Sequence, residues 1–324
     1  IAENTAATAI YISSVTTVGG YLAITDNPVA DPIDISSLTT VAGDIVIQDN
    51  TSVDIIDMSS VTSAGSVLIS GNTGASLIDI SGLATVAGDI TVVDNGDASV
   101  DISASTDVAG DITVETTGTG SFAMGTGAVA GDITVEATGY TDMSGTTPAG
   151  DLDLTSTHVE AVMHLQVQAA SFTTPVGFTV TRVDPVALAP ESGLDDGGDP
   201  ATIDPVAAYQ FNFEVPTLDR DAEISFDIDL AQLDAATRTD LLDALDAGTA
   251  TLVTKGDGAG SSFQAFPVCG SADTPTAGGC VRIETFDALG QPTSGTPAIV
   301  RFSGVVGHFS TWAVAIVTPM PQAD

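Results

Sequence analysis

One short phrase, Val-Ala-Gly-Asp-Ile, recurs four times in the first half of the chain and constrains the fold more than any other feature. Looser copies precede, interrupt and follow these four, and every copy contains a glycine. Consecutive glycines are separated by 23, 22, 23, 22, 21 and 19 residues in the set Gly20, Gly43, Gly65, Gly88, Gly110, Gly131 and Gly150. A period in the low twenties is typical of solenoids, in which each repeat forms one coil.

The residues after each glycine predict a strand with one buried face. Two apolar residues separated by one other residue follow the glycine, as in Ile45 and Ile47, and this alternation has the period of a β-strand. A second alternation surrounds an aspartate later in the coil, as in Ile56-Asp57-Met58. Because a turn asparagine repeated in register can bond the next coil, we expect a stacked ladder of Asn27, Asn50, Asn72 and Asn95.

These patterns predict an all-β protein with an N-terminal β-solenoid of about seven coils of 19–23 residues. A change in pattern near residue 206 predicts a C-terminal antiparallel β-sandwich. One inserted helix is expected there, with Asp234 capping its start and Gly248 ending it. The chain is therefore divided into a polar lead-in over 1–8, the solenoid over 9–165, connecting strands and an acidic Pro/Gly linker over 166–205, the sandwich over 206–318 and a tail over 319–324.

The repeat resembles the receptor L domain, a leucine-rich-repeat-like β-solenoid, in its period, its Gly-x-Leu-x-Ile type of phrase and its following asparagine. The resemblance covers residues 9–165 and implies a scaffold that often binds partners, with no catalytic residue. The Gly-Asp-Ile form differs from that family's usual Gly-Asn-Leu, so a generic bacterial β-solenoid is the alternative. The segment His308–Ala315 resembles the terminal strand of sandwich modules in secreted bacterial surface proteins and implies no site.

The chain is strongly acidic, with 43 Asp and Glu residues against six Lys and Arg, and a formal net charge of −37. No Lys or Arg occurs before Arg182. Such a chain lacks the basic footprint that binds nucleic acid, and it is disfavoured at an anionic membrane surface. No apolar run reaches the length of a membrane span. The composition favours a protein secreted into a saline or calcium-containing medium.

Two further features favour an extracellular location. Cys269 and Cys280 are the two cysteines of the chain and flank a segment rich in glycine and proline, which predicts a loop-closing disulfide formed in an oxidising compartment. The chain begins at Ile1 rather than Met, as expected after removal of a signal peptide.

Two sets of carboxylates are candidate calcium ligands. The first lies in a glycine-rich loop and comprises Asp195, Asp196 and Asp199. The second follows the repeat glycine and comprises Asp89, Asp111, Asp132 and Asp151. Stacked coils would hold the second set about 4.8 Å apart, where two unit charges repel by roughly 1 kcal/mol in water. Either these side chains bond turn N–H groups, or cations lie between them.

No catalytic activity is predicted. Lyases that act on acidic polysaccharides need Lys or Arg, which the solenoid lacks. A hydrolase needs only two carboxylates, but the aspartates here recur as repeat elements rather than as one irregular cluster. No nucleophile elbow, zinc-binding HExxH motif or phosphate-binding loop is present in the sequence.

Two non-catalytic functions remain. Solenoid ends are open sheet edges that must be capped or paired, and residues 1–12 contain no evident helical cap. Head-to-tail contact would then build a homo-oligomer or polymer, as expected of a structural subunit in a surface layer, sheath or filament. The alternative is a cell-surface adhesin or ligand-binding ectodomain that recognises a glycan or a protein. Since exposed aromatics are few in the solenoid, the structural subunit is favoured.

Overall fold

The computed structural model describes residues 1–103, 107–116, 122–125, 127–139, 142–169, 171–172, 174, 176–188, 191–194, 200–214, 218, 220–255, 262–270, 273–277, 279–308 and 310–319. The chain divides into two compact units. The first comprises residues 1–157 and 168–178, and the second comprises residues 158–167 and 179–324.

Short strands build the first unit, and within the described residues they form a β-solenoid of about six turns. In chain order they are β1 (Ile10–Tyr11), β2 (Thr17–Val18), β3 (Leu22–Thr25), β4 (Ile33–Asp34), β5 (Thr40–Val41), β6 (Ile45–Gln48), β7 (Ile55–Asp57), β8 (Ser63–Ala64), β9 (Val67–Ser70), β10 (Leu77–Asp79), β11 (Thr85–Val86), β12 (Ile90–Val93), β13 (Ser99–Ile102), β14 (Asp107–Val108), β15 (Ile112–Thr116), β16 (Phe122–Met124), β17 (Ile133–Thr138), β18 (Asp142–Thr146) and β19 (Leu152–Thr157).

Equivalent strands of successive coils stack into the three sides of the solenoid. The strands that follow the repeat glycines stack in the order β3-β6-β9-β12-β15-β17-β19. The strands around the second alternation stack in the order β1-β4-β7-β10-β13-β16-β18, and the shortest strands in the order β2-β5-β8-β11-β14. Neighbouring strands pair in parallel and in the register that the repeat predicts, as in Ile45↔Val67 and Ile90↔Ile112.

The core of the solenoid is made of inward apolar columns. Ile45, Ile90 and Ile133 are fully buried, and Ile112 is 1% exposed. Their outward neighbours on the same strands are half-buried. No coil can bury this face by itself, so the predicted stacking of equivalent side chains forms the core.

A ladder of buried asparagines crosses the coils at one corner. The side-chain amide and the backbone N–H of Asn27 both donate to Oδ1 of Asn50, at 2.9 and 3.2 Å. The same pair of bonds joins Asn50 to Asn72 and Asn72 to Asn95. Since these side chains are fully buried, the ladder satisfies amides that would otherwise be costly to bury.

The stack begins earlier than the lead-in predicted over residues 1–8 would suggest. The amino terminus of Ile1 donates to the carbonyl of Ala23 at 2.8 Å. The side-chain amide of Asn4 donates to Oδ1 of Asn27 at 3.0 Å. Asn4 is therefore the first member of the ladder, 23 residues before Asn27, which is the spacing of the repeat itself.

The second unit is mostly antiparallel. Its elements are β20 (Ala161–Val167), β21 (Gly177–Val183, which starts in the first unit), a helical turn α1 (Pro185–Leu188), β22 (Glu191–Leu194), β23 (Pro200–Phe213), β24 (Ala222–Asp229), α2 (Ala235–Ala247), β25 (Ala250–Lys255), β26 (Phe263–Ala265), β27 (Arg282–Phe286), β28 (Ile299–Val306) and β29 (Thr311–Pro319). Among the described residues no helix is long and apolar enough to cross a membrane.

The strands predicted as a sandwich form an open sheet and a closed ring in the described part of the chain. The open sheet has the order β27-β28-β24-β20, and the ring joins β23, β22, β26, β25 and β29, with β29 pairing again with β23. Ala208, Ala313 and Phe263 belong to one buried apolar cluster formed by strands of the ring. A β-bulge between Pro205 and Ala207 interrupts the long strand β23, and bulges bend strands in this way.

Two sequence predictions in this unit are confirmed. The helix is capped by Asp234, whose carboxylate accepts from the backbone of Ala236 and Thr237, and Gly248 ends it in the left-handed conformation. Cys269 and Cys280 form a disulfide with an S–S distance of 2.03 Å. The bond closes the loop that connects β26 to β27.

Candidate functional site

The repeated Gly-Asp pair is a hydrogen-bonding device that links each coil to the next. Oδ1 of Asp89 accepts from the backbone N–H of Asp111 at 3.0 Å, and Oδ1 of Asp111 accepts from that of Asp132 at 2.9 Å. Asp132 and Asp151 continue the series, Asp151 accepting from the N–H of Ala169 at 2.6 Å. The turn-capping interpretation of this column is therefore the one its geometry supports.

Of the two sets of predicted calcium ligands, the structure describes the aspartate column. In the aspartate column, one oxygen of each carboxylate accepts a backbone hydrogen bond. No group of three or more His, Cys, Asp or Glu in the described residues is arranged to hold a metal ion. Calcium binding by this column stays a prediction. The other candidate set, Asp195, Asp196 and Asp199, lies outside the described residues.

A second column of aspartates runs along the side formed by β4, β7, β10 and β13. Its members lie in register as Asp34, Asp57, Asp79 and Asp101. Each accepts from the backbone N–H of the serine two residues later. The hydroxyl and then the amide of Ser36 hold the pKa of Asp34 below its usual value of 3.8, so this carboxyl is charged at neutral pH.

Both columns end in tyrosine at the first coil. Tyr11 pairs with Asp34, and Tyr21 precedes Leu22, which pairs with Ile45, so Tyr21 lies opposite Asp44. The side chains of Tyr11 and Tyr21 are 63% and 72% exposed. The first coil therefore presents aromatic rings at the two positions where the following coils present carboxylates.

Apolar residues that are buried in other coils are also exposed at this end. Val15 occupies the position of Leu38 in the next coil and is 39% exposed, whereas Leu38 is fully buried. Ile1 occupies the position of Ile24 and is 49% exposed, whereas Ile24 is fully buried. We call Ile1, Tyr11, Val15 and Tyr21 the first-coil surface.

The other end of the solenoid unit is covered by its own chain. The backbone N–H of Thr147 donates to the carbonyl of Val176 at 2.9 Å, and the hydroxyl of Thr147 accepts from the N–H of Val176 at 2.9 Å. Val176 and Phe178 are buried. Val176 and Phe178 therefore pack against the last coils of the unit.

An acidic pocket of about 630 Å³ lies in the second unit. Its lining includes the carboxylates Glu160, Asp184, Asp204, Asp234 and Asp240. Glu160 forms an ion pair with Arg182, and its carboxylate is hydrogen-bonded to Nδ1 of His158 at 2.5 Å. Asp234 caps α2. These two carboxylates are therefore engaged in stabilising the unit.

The first-coil surface has a partial signal in the sequence. Aligning the coils by their glycines places Tyr11 and Tyr21 in columns that otherwise hold mainly aspartate. The exposure of Val15 and Ile1 cannot be deduced from their residue types, because apolar residues at equivalent positions of later coils are buried, as at Leu38, Val61 and Ile24. No family model, curated protein or solved structure matches this chain, and the case for its function rests on its own residues.

Proposed function

We propose that this chain is a non-catalytic extracellular structural protein that assembles through the ends of its solenoid, as a subunit of a surface layer, sheath or filament. The observation that carries the proposal is the first-coil surface. Its apolar and aromatic side chains are exposed, and aromatic side chains are enriched at the interfaces between proteins.

Other features support parts of this proposal. The disulfide between Cys269 and Cys280 favours an oxidising, extracellular environment. The solenoid has an internal ladder from Asn4 to Asn95 and no Lys or Arg, which suits a rigid scaffold in a saline medium. Its resemblance to receptor L domains rests on the period and on the asparagine ladder, and it favours a scaffold of the kind that binds partners.

Calcium enters the proposal as a modulator of assembly. The exposed aspartates of the Gly-Asp column repeat at the spacing of the coils, about 4.8 Å. Divalent cations at this column or at Asp195, Asp196 and Asp199 would reduce the repulsion between acidic copies.

The alternative is a cell-surface adhesin or ligand-binding ectodomain. The exposed rings of Tyr11 and Tyr21 favour it, because aromatic side chains with a polar group are common at binding surfaces. In that case the first-coil surface would bind a glycan or a foreign protein rather than another copy of this chain.

Negative-stain electron microscopy and light scattering of the purified chain distinguish the two functions. We expect ordered fibres or sheets in about 0.15 M NaCl, the physiological ionic strength, and more of them after addition of CaCl₂ than of the chelator EGTA. Particles that stay dispersed at every protein concentration, with or without calcium, contradict the structural proposal. Dispersed particles that also bind members of a glycan array support the adhesin.

A further inference from the structure

The buried ladder contains the one asparagine of the chain that a glycine follows. Asn95 precedes Gly96, whereas each of the other five asparagines precedes threonine, proline or phenylalanine. In an Asn-Gly dipeptide the backbone nitrogen of the glycine can attack Cγ of the asparagine, because glycine has no side chain that obstructs the approach. Asparagine is a thermolabile residue, and this dipeptide is its most reactive form. Asn95 is therefore the chemically weakest member of the ladder.

The fold requires this glycine. Gly96 has a backbone φ of 63°, in the left-handed region that glycine adopts without steric cost. A Cβ atom at this position would also lie 2.6 Å from the carbonyl oxygen of Thr73 in the preceding coil, which is closer than a side chain can pack. The reactive dipeptide is thus a consequence of the close stacking of these two coils.

The ladder restrains the side chain that would react. Nδ2 of Asn95 donates to the carbonyls of Ile69 and Val93, at 2.8 Å each. Oδ1 of Asn95 accepts from Nδ2 and from the backbone N–H of Asn72, at 2.9 and 3.2 Å. Both donors of the amide and both acceptor sites of its oxygen are therefore occupied.

These four hydrogen bonds oppose the reaction directly. Attack at Cγ converts the planar carboxamide into a tetrahedral centre, and this change displaces Oδ1 and Nδ2 from their partners. Asn95 is also fully buried, so the water that completes the reaction does not reach it. The reaction consequently requires that the coil first opens.

We infer that Asn95 is a modification site, which the folded solenoid keeps unreactive and which deamidates when its coil opens. In the open coil the nitrogen of Gly96 loses its proton to solvent and bonds to Cγ of Asn95. The side-chain nitrogen takes up a proton and leaves as ammonia. The product is a succinimide ring, and water opens this ring to give aspartate or isoaspartate. Water is the only co-reactant.

The product cannot return to the ladder. A carboxylate at position 95 has no proton to donate to the carbonyls of Ile69 and Val93, and an unpaired charge is costly to bury. Isoaspartate also lengthens the main chain by one methylene group, which moves the residues after it out of register with the preceding coil. Opening of this coil therefore becomes irreversible. The inference does not depend on the assembly proposed above.

Peptide mass spectrometry of the 324-residue chain tests the inference. The chain is incubated at mildly alkaline pH in buffer and in urea that unfolds it, and aspartate and isoaspartate at position 95 are quantified over time. We expect the reaction to be at least about 100-fold slower in buffer, because a buried segment of a folded protein opens rarely. Equal rates in the two solutions overturn the inference, as does a lack of reaction at Asn95 in urea.

Asn72→Ala tests whether the ladder provides the protection. This variant removes the side-chain donor to Oδ1 of Asn95 and leaves the Asn-Gly dipeptide unchanged. The loss of one buried hydrogen bond should accelerate the reaction in buffer by about tenfold, and the rate in urea should stay the same. A rate in buffer equal to that of the unaltered chain overturns the role of the ladder.

Asn27→Ala is the matched control. It removes the same type of bond between Asn27 and Asn50, farther along the ladder from Asn95. Urea unfolding curves of both variants correct the rates for any difference in global stability. After this correction Asn27→Ala should react like the unaltered chain, and equal acceleration by the two variants contradicts local protection by Asn72.

Asn95→Asp measures the consequence of the modification. We expect it to unfold at a lower urea concentration than the unaltered chain, because two buried carbonyls lose their donors. Asn212→Asp makes the same change at an exposed residue whose Oδ1 accepts from Nε2 of Gln210, so it should unfold like the unaltered chain. Failure of Asn95→Asp to fold also supports irreversibility, whereas an unchanged urea midpoint for Asn95→Asp refutes it.

Discussion

Four of the repeat glycines make room for a carboxylate from the preceding coil: Gly65, Gly110, Gly131 and Gly150. A Cβ atom at Gly110 would lie 2.0 Å from Oδ1 of Asp89, and one at Gly131 would lie 2.0 Å from Oδ1 of Asp111. These oxygens accept from the backbone N–H of the residue that follows each glycine. Glycine and aspartate therefore recur together. The glycine leaves space for the carboxylate of the preceding coil, and the aspartate beside it accepts a backbone hydrogen bond from the following coil.

This close approach predicts different effects of alanine at two repeat glycines. Gly110→Ala should lower the free energy of unfolding by about 3 kcal/mol, because the methyl group displaces a capping carboxylate and strains the packed turn. Gly20→Ala should change it little, since no other heavy atom lies within 4 Å of the position that a Cβ atom would take at this first-coil glycine. Urea denaturation monitored by circular dichroism measures both, and equal losses would contradict the proposed role of the glycine.

Among the elements, helix α2 was the most fully predicted from the sequence. Asp234 and Gly248 fix its two ends through hydrogen bonds that involve near neighbours only. The hydroxyl of Thr237, followed by the amides of Thr237 and Ala236, lowers the pKa of Asp234 below its usual value of 3.8. A carboxyl whose pKa is lower in the folded state stabilises it above the unfolded pKa.

This cap predicts a pH-dependent effect. Asp234→Ala should lower the melting temperature of the second unit at about pH 6, and the difference from the unaltered chain should shrink as the pH falls below 3.8 and the carboxyl becomes protonated. Asp246→Ala removes the same charge near the other end of the helix, where a negative charge is unfavourable, so it should not lower the melting temperature. Scanning calorimetry of both variants at about pH 6 and below pH 3.8 measures these differences. A decrease in the melting temperature of Asp234→Ala that is the same at both pH values would argue against capping.

The strand patterns also predicted the solenoid, but they did not predict the closed ring of strands in the second unit. Alternating residues identify a strand and its buried face, but ring closure depends on long-range pairings such as Leu194 with Gln264. The bulge at Pro205–Ala207 has no alternation of its own. Sequence patterns likewise left two options for the Gly-Asp column, because the choice depends on the direction of each carboxylate relative to the next coil.

At the scale of the whole molecule, the excess of acidic residues destabilises the folded state, because like charges repel. The formal net charge is −37, and every Lys and Arg lies at or after position 182. Exposed aspartates one coil apart repel by roughly 1 kcal/mol per neighbouring pair in water. Salt weakens this repulsion, because the screening length falls from about 10 Å at 0.1 M to about 3 Å at 1 M.

The solenoid unit should therefore melt at a temperature several degrees higher in about 1 M than in about 0.1 M NaCl. Asp111→Asn provides the control, since its amide oxygen can still accept from the N–H of Asp132 while one charge of the column is lost. This variant should melt above the unaltered chain at the lower salt concentration and gain less from added salt. Calorimetry in both salt concentrations measures the effect, and a melting temperature that falls with NaCl would refute it.

The repeat glycines join successive coils at the same point of every coil. The N–H of each repeat glycine donates to the carbonyl of the previous one, from Gly43 to Gly20 through Gly150 to Gly131, at 2.8–3.1 Å. Spacing between the glycines nevertheless varies from 23 to 19 residues, so the intervening loops absorb the variation. Whole coils can then be gained or lost by gene duplication and deletion, and the length of the molecule becomes a heritable quantity that changes in steps of about 4.8 Å.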